Sequence, residues 1–191
     1  MKAKYFFNPF ERVAGWQALL VGLVMMLLTA SLALVSGLRF DGVLDAHFGE
    51  HVEWWRVFAD QGINWLSLVV VFYPGALLFS RSHTRFIDIA GTMALARTPM
   101  LVAAIAGLPS RLSDFISQLP NANGTTLFST PDFWVTVVLA LLMVWGTIWS
   151  AILIYNAWRV SANVKGTRAG VVYGFGLLIA EIGSKILIAN I

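Results

Sequence analysis

The chain has 191 residues, 58% of them apolar or aromatic, and only 12% carry a formal charge. Soluble domains carry about 25% charged residues, so this composition excludes an ordinary water-soluble globule, and it excludes disorder as well. The chain holds no cysteine, which removes disulfides and thiolate chemistry, and its net charge of +3 is scattered too thinly to make a nucleic-acid-binding patch.

The first long apolar run is Trp16–Leu38, behind Lys2, Lys4 and Arg12. A membrane span needs about 20 apolar residues, and this run supplies them. The small-x-small step Ser31-Leu32-Ala33 resembles a signal-peptide cleavage site. The apolar run continues past that step, so a retained span is expected. In Asp41–Asp60, the residues Leu44, Phe48, Val52, Trp55 and Phe58 recur at helical spacing, with Asp45, Glu50, Glu53 and Arg56 between them. That pattern predicts an outer amphipathic interfacial helix at about Val43–Ala59.

The same segment spells H-x-x-E-H at His47, Glu50 and His51, the order used by one class of zinc peptidases. Gly49 would make a soft helical platform for it, and later helices offer no evident third ligand with supporting partners. The reading adopted is therefore two interfacial histidines, with no metal, cofactor or catalytic group. There is no G-x-S-x-G and no Gly-rich phosphate loop either, so a non-enzymatic protein is expected.

The second span, Ile63–Ser80, contains Pro74. Proline leaves the carbonyl of Val70 without its helical donor, so a kink is expected there. A basic turn follows, and Arg81, Arg85 and Asp88 form a cluster at the start of the third span, Phe86–Leu108, where Asp88 favours the helix N-terminus. Pro99 predicts a second kink, near Arg97. Pro109–Pro131 reads as a connection with a turn at Asn121-Ala122-Asn123-Gly124. The fourth and fifth spans are Phe133–Tyr155 and Ala169–Ala189. The last carries small residues at packing spacing, Gly170 and Gly174, then Gly176, Ala180 and Ser184, suited to close helix contact inside the bundle or at a dimer seam. The fold class expected is an all-α membrane protein, a single domain of five transmembrane helices with an outer interfacial helix.

Loop charges predict the orientation. Lys2, Lys4, Arg12, Arg81, Arg85, Arg159, Lys165 and Arg168 fall on one side, against Arg39, Arg56 and Arg111 on the other. The positive-inside rule then puts the N-terminus in the cytoplasm and the C-terminus outside. Three ionisable residues remain within spans: Arg97, Glu181 and Lys185. Each costs on the order of 3 kcal/mol against lipid, so each should face the bundle or a partner. At 1.5 Å per residue, Arg97 and Glu181 both lie roughly 16–18 Å from the inner ends of their spans, which predicts an interhelical charge pair with Lys185 as competitor. The pair reads first as structural glue and second as an ion or proton path.

The stretch Ser80-Arg81-Ser82-His83-Thr84-Arg85-Phe86-Ile87-Asp88-Ile89-Ala90-Gly91, followed by Ala96-Arg97-Thr98-Pro99, resembles the Yip1 family of membrane proteins in its bacterial form. Asn8-Pro9-Phe10 before the first span and the Trp158–Gly166 connector before the last carry the same resemblance. It covers nearly the whole chain and implies five spans with a cytosolic N-terminus. The D-L-Y-G-P motif of eukaryotic, Rab-linked members is absent, so what the resemblance implies is membrane residence rather than a reaction. The partners expected are the lipid bilayer and either a second membrane protein or another copy of the chain. The location expected is a bacterial inner membrane, or ER and Golgi membranes in a eukaryote.

Overall fold

The computed structural model describes residues 4–49, 53–80, 83–118 and 133–191. A short helix α1 (Lys4–Phe7) and a 3₁₀ turn (Pro9–Glu11) precede α2 (Gly15–Ser36). Two-residue strands β1 (Leu38–Arg39) and β2 (His47–Phe48) pair antiparallel, Leu38 opposite Phe48 and Arg39 opposite His47. The helices α3 (Trp54–Phe79), α4 (Phe86–Ala96), α5 (Met100–Gly107), α6 (Ser110–Gln118), α7 (Phe133–Ser161) and α8 (Thr167–Ile188) complete the described chain.

The architecture is all-α, with five helical units long and apolar enough to cross a membrane: α2, α3, α4 with α5, α7 and α8. The third unit is the centre of the bundle. It is 72% buried, against 22–39% for the other four. Exposed leucines, valines and isoleucines on the outer faces of α2, α3, α7 and α8 are the surface expected of helices that meet lipid. α2 and α4 approach most closely. A Cβ placed on Gly22 would lie 2.5 Å from the backbone of Ala94 and Leu95, and one on Gly91 would lie 2.3 Å from the carbonyl oxygen of Gly15. Glycine is therefore required at this seam, where the two backbones touch.

In the last span, the row Gly176, Ala180 and Ser184 is buried, and Gly176 faces the Phe72 ring of α3. Gly170 is exposed and Gly174 half-buried, with nothing among the described residues within 4 Å of an added Cβ at either. The N-terminal segment is held on α7. The Phe6 ring stacks on Trp149 at 4.0 Å, and Asn156 Nδ2 donates to the carbonyl of Phe7 at 2.9 Å.

Two expectations change. No separate interfacial helix is established over Val43–Ala59: residues 47–48 are strand, and residues 54–59 are the opening turns of α3, which begins at Trp54 rather than Ile63. The apolar period belongs partly to that longer helix and partly to a loop whose side chains turn inward. The third span is also broken rather than kinked. Helix α4 stops at Ala96, Pro99 caps α5, and 3₁₀-type bonds join them. The N–H groups of Arg97 and Thr98 donate to the carbonyls of Ala94 and Leu95 at 3.2 and 3.1 Å. The Leu95 carbonyl is thus satisfied by the turn itself. Pro74, by contrast, lies inside a helix that runs on through it. The Asn121–Gly124 turn lies outside the described residues.

Candidate functional site

Gly37 ends α2 in the left-handed conformation, φ 69°, with its N–H on the carbonyl of Ala33. Only glycine adopts this freely, and it turns the chain back toward the bundle. The following loop then drops between the spans: Leu38, Phe40 and Val43 are each no more than 1% exposed. A buried loop needs partners for its backbone polar groups. The spans supply them. Asn64 Nδ2 of α3 donates to the carbonyl of Phe40 at 2.7 Å. Arg97 Nη1, from the break in the third span, donates to the carbonyl of Val43 at 3.0 Å. The N–H of Leu44 donates to Glu181 Oε2 of α8 at 2.9 Å.

Val43 C=O and Leu44 N–H belong to one peptide group. Arg97 and Glu181 therefore grip the two ends of the same dipole, the cation at its negative oxygen and the carboxylate at its positive hydrogen. The two side chains make no ion pair within 4 Å of each other, so the expected direct pair is replaced by one mediated through the loop backbone. Their equal depth along the third and fifth spans is what lets them meet across a single peptide.

The rest of the loop is tied to the same helices. Arg97 Nη2 donates to Gln61 Oε1 at 3.1 Å. Arg39 donates through Nη2 to Asp60 Oδ2 at 2.8 Å, and Asp60 is 1% exposed. Lys185 Nζ lies 2.5 Å from Asp45 Oδ2 and 3.6 Å from Glu181 Oε1, so it pairs with both the loop and its own helix. Gly42 is the point of closest approach. A Cβ there would lie 2.3 Å from Glu181 Oε1 and 2.9 Å from Lys185 Cε. On its open side Glu181, with Leu44, Asp45, Leu177 and Leu178, borders a shallow groove of about 320 Å³.

The break itself is held from α7. Ser150 Oγ donates to the carbonyl of Ala96 at 3.0 Å, and Gly146 lets α7 approach the carbonyl of Pro99. Arg97 Nε and Thr98 Oγ1 are buried there without a hydrogen-bond partner among the described residues.

At the opposite face, Arg85 grips Asp88 with two hydrogen bonds, 2.9 and 3.0 Å, and this carboxylate holds the guanidinium above its ordinary pKa. Arg81 lies outside the described residues. Of the expected cluster, the described residues Arg85 and Asp88 pair at the start of the third span.

His47 sits on a strand, not on a helix. Glu50 and His51 lie outside the described residues. The acids beside His47 are instead Asp41, at 3.2 Å from its Nδ1, and Asp45. These three could in principle hold a metal ion, with ligand atoms within 4.8 Å of one another. Lys185 already neutralises Asp45, however, which opposes a cation at that position.

The sequence reading missed Arg39, Asp60, Gln61 and Asn64. A signal for the α3 residues was present: Asp60, Asn64 and Ser67 recur at i, i+4 and i+7, a polar stripe on one face of an otherwise apolar helix. Starting the span at Ile63 cut the stripe in two. Comparison with protein-family models, curated proteins and solved structures finds no match to this chain.

Proposed function

We propose that this chain is a non-enzymatic integral membrane protein that organises membrane or partner proteins, in keeping with its resemblance to the bacterial Yip1 family. The observation that carries the reading is the peptide clamp. Arg97 and Glu181, the charges that a transport pathway would need, are spent on opposite ends of one loop peptide, and Lys185 is spent on Asp45. Charges committed in this way fix the architecture of a surface rather than line a route. The orientation proposed is N-terminus cytoplasmic and C-terminus outside, supported by the concentration of Lys and Arg on the face that carries residues 83–85 and 159–168. A bacterial inner membrane is the location that follows from the resemblance.

A second reading has its own support. A span broken near mid-depth, with Arg97 Nε and the Thr98 hydroxyl buried at the break without partners among the described residues, is an arrangement found at transporter binding sites. One pair of measurements separates the two. Purification of the native complex in detergent should recover a dedicated membrane-protein partner or a second copy, while proteoliposomes should carry no proton or ion flux above empty vesicles. A flux that disappears in Arg97→Leu with Glu181→Leu would establish the transporter instead.

A further inference from the structure

Between α2 and α3 lies a groove of about 170 Å³, walled by Leu23 and Leu27 on one helix and by Phe58 and Trp65 on the other. Gln61 also lines it. The carboxamide of Gln61 has a fixed orientation. A guanidinium can only donate, so the hydrogen bond from Arg97 Nη2 holds the amide oxygen toward Arg97. That leaves the Gln61 Nε2 hydrogens with no acceptor among the described residues, in a side chain only 3% exposed. The other side-chain donor in the groove is already used: Trp65 Nε1 donates to the carbonyl of Ala90 at 2.9 Å. An occupant must therefore be apolar along most of its length and bring one hydrogen-bond acceptor.

We propose that this groove binds one acyl chain of a glycerophospholipid, with the ester carbonyl accepting from Gln61 Nε2. Three observations select this occupant. The groove opens between two helices whose flanking residues Leu27 and Leu66 are exposed as a lipid-facing surface is, so its ligand arrives from the bilayer. Trp54 and Trp55, both exposed at the start of α3, mark headgroup level. Gln61 lies two turns deeper, about 10 Å along the helix, at the level where ester groups give way to acyl chains. The groove takes part of one acyl chain, and the remainder lies along the exposed outer faces of α2 and α3. Gly62 keeps the groove open, for nothing among the described residues lies within 4 Å of a Cβ built there. This proposal does not depend on the organising role proposed above.

The test uses the full chain in detergent and counts lipid retained by native mass spectrometry. The probes are dioleoyl phosphatidylethanolamine and its ether-linked analogue, which has the same headgroup and chains but no carbonyl. Wild-type protein should retain one ester lipid about fivefold to tenfold better than the ether lipid, the worth of one hydrogen bond. Gln61→Glu keeps an oxygen for Arg97 but removes the donor, and should retain the two lipids equally. Gly62→Leu fills the groove and should lose both. Equal retention of ester and ether lipid by the wild-type chain would overturn the proposal, and that comparison stands whether or not either variant folds. Unchanged retention by a folded Gly62→Leu, or displacement of the ester lipid by an isoprenoid quinone offered at equal concentration, would overturn it as well.

Discussion

Arg97 is 1% exposed, and its two engaged nitrogens reach different elements, one the carbonyl of Val43 and the other the side chain of Gln61. Removing such a group strands everything it served. Arg97→Ala should cost about 3–5 kcal/mol, the loss typical of breaking a buried charged contact from one side. The geometry also fixes what a double mutant can recover. If Arg97 and Glu181 paired directly, replacing both by leucine would remove a charge pair and restore much of the stability. Here the same replacement leaves Val43 C=O and Leu44 N–H buried without partners, at about 1–3 kcal/mol each. Arg97→Leu with Glu181→Leu should therefore remain several kcal/mol below wild type in a detergent unfolding titration. A double mutant as stable as wild type would show that the peptide clamp contributes nothing.

Among the elements, the spans were legible and the loop was not, for a physical reason. Each span satisfies its own backbone, so length and hydropathy are enough to find it. Residues 37–49 are satisfied by side chains from α3, α8 and the break in the third span, and no local period can report partners that distant. Their apolar spacing predicted a surface helix because Leu44, Phe48 and Phe58 fit one. The prediction could not see that Leu38, Phe40 and Val43 would be the buried set. The charge pair was half legible: equal depth pointed Arg97 and Glu181 at one another, but no local pattern marked the Val43–Leu44 peptide as the group that would lie between them. Close packing was misassigned in part. The sequence offered the last span as the small-residue helix, whereas the tightest seam joins α2 and α4 through Gly22 and Gly91. Substitution separates the two kinds of glycine. Gly91→Val should prevent folding, because the new atoms fall on the backbone of Gly15 and neither chain can retreat cheaply. Gly170→Ala and Gly174→Ala meet nothing, and each should be neutral or stabilising by up to about 1 kcal/mol. Unfolding midpoints of the three variants, measured side by side, check the assignment; a stable Gly91→Val would remove the seam.

For the molecule as a whole, the connections sort into two faces. The C-terminal part of α8 lies beside the inserted loop through Lys185 and Asp45, while the N-terminal segment packs near the far end of α7 through Asn156 and Phe7. Five traverses accordingly leave the two termini at opposite faces. Trp54 and Trp134, exposed at the starts of α3 and α7, stand at one face, and Trp16, exposed at the start of α2, stands at the other, as aromatic belts do. On the loop face Arg39 is held by the buried carboxylate of Asp60, as Arg85 on the other face is held by Asp88. Lys165 and Arg168, on the other face, border an open cavity of about 390 Å³ with Phe79 and Asn163. A membrane potential negative inside should keep that second face in the cytoplasm. Because the chain has no cysteine, single cysteines report on topology without background. Placed at the exposed positions Glu53, Ser117 and Asn190, they should react with a membrane-impermeant maleimide on intact spheroplasts. At His83 and Lys165, also exposed, they should react only after lysis. Labelling that mixed the two sets would dismantle the five-span arrangement, and labelling with the sets exchanged would keep the fold and invert the protein in its membrane.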